Sequence, residues 1–166
     1  MSRAFEDFPV GSRFVSGSQT ISKEEITEFA RRYDPQPFHL GTAANENLLG
    51  GMAASGWQTA AVSMRLFIDT MQVEGGIIGR AIDELRWPAA VHPGDSVRVE
   101  IEIIEARLSL SKPGYGLIRY RSLTLNQHDK VVQSFIALAI VPTRNDSLGK
   151  VGRVGGEGIE PPTNTV

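Results

Sequence analysis

Two residues in this chain have side chains and a spacing that suit proton-transfer chemistry. They are Asp34 and His39 in the segment Tyr33-Asp34-Pro35-Gln36-Pro37-Phe38-His39. Two prolines between them remove backbone freedom and make the loop stiff. Five residues span at most ~17 Å, so a turn there can bring both groups to one water molecule. A carboxylate and an imidazole sharing a water meet the needs of a hydration, in which one group takes a proton from water and the other handles the proton at carbon. Imidazole is the side chain whose ordinary pKa lies nearest neutrality. Structural roles also fit the spacing: Asp before Pro often closes a helix, and a lone His often serves only packing.

The second segment of interest is Leu48-Leu49-Gly50-Gly51-Met52-Ala53-Ala54-Ser55-Gly56-Trp57. Small residues run into the start of an apolar helix, where backbone N–H groups are unpaired and partly positive. Glycine lets a substrate carbonyl approach closely. Such a donor stabilises an oxyanion by about 3 kcal/mol in a transition state. The same small residues also suit close packing of the helix on a sheet. Other polar residues offer less. His92 lies in a Pro-Gly turn and His128 at a hairpin tip, positions that read as solvated. Three scattered histidines have no metal-ligand spacing, and Ser55 and Ser63 lack the Gly-x-Ser-x-Gly setting of a serine nucleophile. Gly75 to Gly79 is not followed by the Lys and Ser/Thr of a phosphate loop. Arg65, Arg80, Arg86, Arg119 and Arg121 read as helix and strand surface, or as contacts to a carrier's phosphates.

The elements that position these residues are legible in the pattern. Gly11 to Thr20 reads as a first strand. Ser22 and Glu25 form a capping box, Ile21 and Ile26 a hydrophobic staple, and Ile26, Phe29, Ala30 and Tyr33 fall at helical spacing. Pro35 and Pro37 end that helix and leave Asp34 at the break. Phe38 to Leu49 reads as loop with a short helical turn. From Trp57 to Met71 a broad apolar surface, with Gln58, Arg65 and Asp69 as the polar strip, predicts a long helix covered on most sides. Strands follow at Ile77–Trp87, at Val97–Ile103 with strict alternation, and at Leu117–Leu125 and Lys130–Val141 as a hairpin. Strands clustered after helices predict an α+β fold with an antiparallel sheet curled round the long helix. Asn145–Val166 holds five glycines and Pro161-Pro162 without periodicity and reads as a disordered tail, leaving residues 1–144 as one domain.

Composition narrows the classes. With 17 Lys+Arg against 19 Asp+Glu and no basic run, nucleic acid is not the expected partner. There is no Cys, which excludes disulfides, thiolate metal sites and a cysteine nucleophile. Met1 to Phe14 carries Glu6, Asp7 and Arg13 and does not read as a signal peptide, and no stretch reaches the ~18 apolar residues of a membrane span. A cytoplasmic location fits.

Taken together, Phe29-Ala30 with Tyr33 to His39, Ala53-Ala54-Ser55-Gly56, Leu85-Arg86-Trp87-Pro88-Ala89 and Val91-His92-Pro93-Gly94-Asp95-Ser96-Val97 resemble the MaoC-like dehydratase family, which includes the R-specific enoyl-CoA hydratases. The resemblance runs from about Phe5 to Val141. It implies the α+β hotdog fold, with Asp34 and His39 as the catalytic pair and Gly56 N–H, with Ser55 beside it, at the substrate carbonyl. The implied reaction is reversible hydration of a trans-2-enoyl-CoA to a 3-hydroxyacyl-CoA. Coenzyme A would be part of the substrate, with no separate cofactor or metal. The active site would lie at a subunit interface, implying a homodimer or larger homo-oligomer. A thioesterase, or a non-catalytic acyl-thioester binder, is the alternative on the same architecture. The family motif commonly reads Asp-x-Asn-Pro-x-His, with a His before the helix glycine and an Asp two residues after the catalytic His; Gln36, Ser55 and Gly41 stand at those places here.

Overall fold

A computed structural model describes residues 2–144. The tail expected at 145–166 lies outside the described residues. After a 3-10 turn at Phe5–Asp7 come β1 (Arg13–Val15), β2 (Gln19–Thr20), α1 (Lys23–Tyr33), α2 (Pro37–Leu40), α3 (Gly56–Met71), β3 (Ile78–Arg86), β4 (Ser96–Leu108), β5 (Tyr115–Leu125) and β6 (Val131–Pro142). The expected first strand is two pieces that both pair with β4, the first at Arg13↔Glu102 and the second at Gln19↔Val97. The Ser16 hydroxyl accepts the Val99 N–H, and the Ser16 N–H goes to the Val99 carbonyl, so a side chain completes the pairing between the two pieces.

The sheet is antiparallel throughout, in the order β1-β4-β5-β6-β3. Its inner face is written in β4, where Val97, Val99, Ile101 and Ile103 are all buried to within 1%. Exposing such side chains costs about 1.5–3 kcal/mol each, so a one-residue slip, which would turn all four outward, is strongly disfavoured. β4 continues five residues beyond the alternating stretch, past a register shift between Ile103 and Glu105. On the outer face, Arg121 pairs with Glu102 at 3.2 Å and Arg119 with Asp83 at 3.4 Å, while Arg65 pairs with Asp69 at 2.7 Å along α3. These three arginines are engaged in surface ion pairs.

Inside the curl lies α3. Phe67 stacks on Tyr120 of β5 with ring centroids 4.9 Å apart, and Leu66, Phe67 and Met71 join the buried core. Burial pushes the Tyr120 phenol up to about 12, since its anion would lie in apolar surroundings. Arg3 donates to the carbonyls of Thr70 and Met71 at 2.6 and 3.0 Å, satisfying the helix C-terminus. The expectation that α3 is covered on most sides needs correction. Trp57, Met64 and Ile68 are 61%, 45% and 44% exposed, and form an open stripe. Gln58, expected on the wet strip, is instead buried.

The capping box is formed as expected. The Glu25 N–H donates to the Ser22 hydroxyl at 3.1 Å, and the Ser22 N–H to the Glu25 carboxylate at 2.7 Å. Ile21 and Ile26, the staple pair, are both buried. This start sets the direction of α1 and hence where its last residue lands. Ser22→Ala is expected to lower stability by about 1 kcal/mol, read from urea unfolding; an unchanged midpoint would show that packing alone holds α1.

Candidate active site

α1 ends because Pro35 follows Asp34. Asp34 is the C-cap, with its N–H still bonded to the Ala30 carbonyl at 2.9 Å. Pro37 then opens the single turn of α2, which presents His39 inward. Gly41 closes the turn at φ 73, a left-handed conformation that suits glycine. The strand-like segment at Ala53 and Ala54 is stitched to this turn: the Ala53 N–H donates to the Phe38 carbonyl at 3.0 Å, and the Ala54 N–H to the Val91 carbonyl at 2.8 Å. The chain then enters α3 through Ser55 and Gly56. The end of one helix, a proline-locked turn and the start of a second helix thus converge.

Asp34, His39, Ser55 and Gly56 all come together there. His39 Nε2 is 3.2 Å from Asp34 Oδ2, and the two side chains are 7% and 20% exposed. The Ser55 hydroxyl donates to the same Oδ2 at 2.7 Å, and Gln36 Nε2 donates to Oδ1 at 2.6 Å. The two sequence departures at 36 and 55 therefore each hold one oxygen of the carboxylate. Burial pulls the Asp34 pKa upward, but the hydrogen bonds from Ser55 and Gln36, with the charge of His39, overbalance it, and the carboxyl titrates below its ordinary 3.8.

The imidazole tautomer follows from its partners. His39 Nδ1 lies 2.7 Å from the Ala53 carbonyl. A carbonyl can only accept, so Nδ1 carries a hydrogen and Nε2 is the nitrogen left for chemistry. With Asp34 ionised, the Nε2···Oδ2 contact is a hydrogen bond only when Nε2 also carries the proton. The contact is therefore a path for one proton between the two groups.

His39 and Gly56 line a cavity of about 680 Å³, walled mainly by Phe38, Leu48, Leu49, Ala53, Ala54, Thr59, Trp87, Ala89, Ala90 and Val91. Asp34, in contact with His39, does not itself line that cavity. Ser55 does not line the cavity either. Its one hydroxyl hydrogen goes to Asp34, and its oxygen accepts from the Trp57 N–H at 3.3 Å. The Ser55 hydroxyl thus holds Asp34 and caps α3, and its single proton is given to the carboxylate. His92 is also not a solvated turn residue. It is half-buried, with Nδ1 2.9 Å from the Met52 carbonyl, and steadies the segment entering the site. His128 is exposed, as expected.

Sequence reasoning did not single out Trp87 or Thr59 as wall residues. The signals for Trp87 were a large aromatic at the end of a strand before Pro88 and its place in the Leu85–Ala89 stretch that carries the family resemblance. A methyl group on Gly56 would meet three atoms of the Trp87 ring at 2.7–3.1 Å, so the glycine is required by the indole lying on it.

Residues 9–120, most of the chain, match the MaoC like domain, and the chain belongs to this family of dehydratases and hydratases. It is 28% identical to the uncharacterized protein YdeM of Bacillus subtilis (strain 168) over 138 residues, covering 81% of this chain and 96% of YdeM. A solved structure of a MaoC-like dehydratase from Rhodospirillum rubrum is 41% identical, with a TM-score of 0.81, covering 86% of this chain and 99% of that one. The R-hydratase PhaJ1 of Pseudomonas aeruginosa, 22% identical with a TM-score of 0.69 over 98% of this chain and 96% of that one, shares the fold. The fold is the hotdog: a sheet wrapped round one long helix.

Gly56→Ala is expected to displace Trp87 and cost about 1–3 kcal/mol in thermal or denaturant unfolding. A variant as stable as the wild type would show that the indole moves aside freely.

Proposed function

We propose that the chain adds water reversibly across the double bond of a trans-2-enoyl-CoA, giving a 3-hydroxyacyl-CoA. The observation that carries this reading is the Asp34–His39 contact behind an apolar cavity whose wall also holds Gly56 at the first position of α3. The acyl chain lies in the cavity and the thioester oxygen faces the Gly56 N–H, one of the helix-start donors left without a backbone partner. Water binds where the one-fifth exposed Asp34 carboxylate and the His39 imidazole meet. Its oxygen bonds to C3 as one of its protons passes to the Asp34 carboxylate. The C2=C3 electron pair moves toward the thioester carbonyl, and charge collects on its oxygen. His39 Nε2–H then delivers a proton to C2. Asp34, now protonated, returns its proton to Nε2 over the 3.2 Å contact, and the site is reset. The sum is one water added; the reverse sequence is dehydration.

The carboxylate must be ionised to accept the proton, and a pKa below 3.8 keeps it so throughout the neutral range. Ser55 and Gln36 secure this state by donating to both its oxygens. Coenzyme A enters only as part of the substrate, and no step calls for a metal.

The functional unit is a homodimer. β3 is an edge strand of nine residues, with Ile78 and Ile82 each 56% exposed, and the open stripe of α3 supplies further apolar surface. Among the described residues this edge has no strand partner and the stripe is bare, which suits an identical copy across a two-fold axis that pairs the edges antiparallel and covers both stripes.

Asp34→Asn and His39→Ala are each expected to lower turnover by on the order of 10²-fold or more with folding retained. The assay follows loss of enoyl absorbance with a thiol reagent present. Thiol release in place of hydration would favour the thioesterase alternative, and near-normal activity in either variant would remove that residue from the mechanism. Light scattering is expected to give twice the chain mass for the wild type, and a monomer for Met64→Asp combined with Ile68→Asp; a monomeric wild type would refute the dimer.

A further inference from the structure

The Trp87 indole rests on Gly56, beside the point where the proposed reaction puts the thioester oxygen. Its N–H donates to Gln133 Oε1 of β6 at 2.9 Å, which ties this point to the strand. Trp87 also borders a second pocket of about 600 Å³, and the two spaces share Leu48, Leu49, Ala89 and Ala90 as well. The first space is walled mainly by apolar residues, whereas the second is rich in polar ones. A thioester at Gly56 thus has the apolar cavity for its acyl side and a polar space adjoining it.

Two turns build the polar pocket. One carries His92 and Asp95; the other is the hairpin between β5 and β6, with Gln127, His128 and Lys130. Gln127 clamps them together, since its Nε2 donates to Asp95 Oδ1 at 2.7 Å and its Oε1 accepts the Ser96 N–H at 3.0 Å. Asn126 Oδ1 accepts the N–H groups of His128 and Lys130 at 3.0 and 3.1 Å and so fixes the hairpin tip. The neighbouring acids already have partners: Asp95 Oδ2 takes the His92 N–H at 2.8 Å, and Asp129 pairs with Arg98 at 2.8 Å. Among the described residues Lys130 is left without an acidic partner. The arginines first considered for a carrier's phosphates do not line this pocket. His92 Nδ1 gives its hydrogen to the Met52 carbonyl at 2.9 Å, so Nε2 of the neutral ring is an acceptor.

Gln133 also gives a scale. Lys130 stands three residues before it, about 10 Å along extended chain. A pantetheine arm has roughly thirteen bonds from sulfur to phosphorus, as many as about four peptide residues, and spans about 15 Å when extended. The two lengths match once the lysine side chain is added to the first. We propose that the polar pocket takes the pantetheine arm of the substrate, with Lys130 and His128 at its phosphate and His92 Nε2 accepting one of its amide N–H groups. This inference rests on the acyl-thioester reading above and places the part of the substrate that lies beyond the sulfur. The phosphate is common to coenzyme A and to an acyl carrier protein.

Saturated thioesters have no double bond to hydrate, so calorimetry measures their binding independently of turnover. Butanoyl-phosphopantetheine is expected to bind the wild type about fivefold more tightly than butanoyl-pantetheine at low salt, the upper range for an exposed ion pair. Added salt should narrow that gap. Lys130→Gln should close most of it and leave butanoyl-pantetheine affinity as it was, and His128→Ala should narrow it. Lys112→Gln, at an exposed lysine between β4 and β5, should leave the gap open. Butanoyl-CoA and a butanoyl acyl carrier protein separate the two sources of the phosphate: the one that binds should lose about fivefold in Lys130→Gln. Equal wild-type affinity for the two small thioesters would overturn the proposal, as would a gap that persists in Lys130→Gln or closes equally in Lys112→Gln. Such a result beside normal hydration would sink the pocket alone. A gap in a protein that hydrates no enoyl thioester would sink the reaction alone, and binding of none of these thioesters would sink both.

Discussion

The structure turns on a single carboxylate held at a junction. Asp34 caps the C-terminus of α1, and its Oδ2 receives both the hydroxyl that caps α3 and the imidazole from α2. Three elements meet on that one atom. If α1 ran on past Asp34, that residue would take helical dihedrals in place of its φ of −151° and its carboxylate would leave both partners. Pro35 prevents that by forbidding another turn, and the Ser22–Glu25 box fixes where the helix begins. Local rules of helix starting and stopping thus set a contact between residues 21 positions apart.

The long helix has two roles. One side fills the sheet's concave face with Leu66, Phe67 and Met71, while its N-terminus supplies Ser55 to Asp34 and Gly56 to the cavity. Because its first turn is anchored by the Ala53 and Ala54 backbone bonds and the Ser55 cap, the donor that the proposed reaction assigns to Gly56 is preorganised. Preorganisation is what gives such a dipole its value, since nothing has to reorient as charge develops.

Much of this was legible in the sequence. The capping box, the proline break and the alternation of β4 are local, and each formed where the pattern put it. The Asp34–His39 pairing was legible because the connecting loop is short and doubly proline-locked. Three features were hidden for one shared reason, namely that they depend on residues far apart in the chain. Ser55 stands as far from Asp34 in sequence as a typical small element pair, and no spacing rule says that its hydroxyl would be spent there. Gln133 in a strand gives no sign of the indole 46 residues away that it holds. Periodicity showed α3 to be apolar nearly all round, but not that part of that surface is left open; a broad apolar surface reads the same whether a sheet or a second molecule covers it.

The most direct test of the central claim follows the atoms. An enoyl-CoA is incubated with the protein in deuterated, heavy-oxygen water, and the product is read by mass spectrometry and NMR. Action of Asp34 and His39 on one water predicts a single heavy oxygen at C3, a single deuterium at C2 and an intact thioester. Heavy oxygen in a free carboxylate, with thiol released and C2 unlabelled, would show that water attacks the carbonyl and would contradict the account.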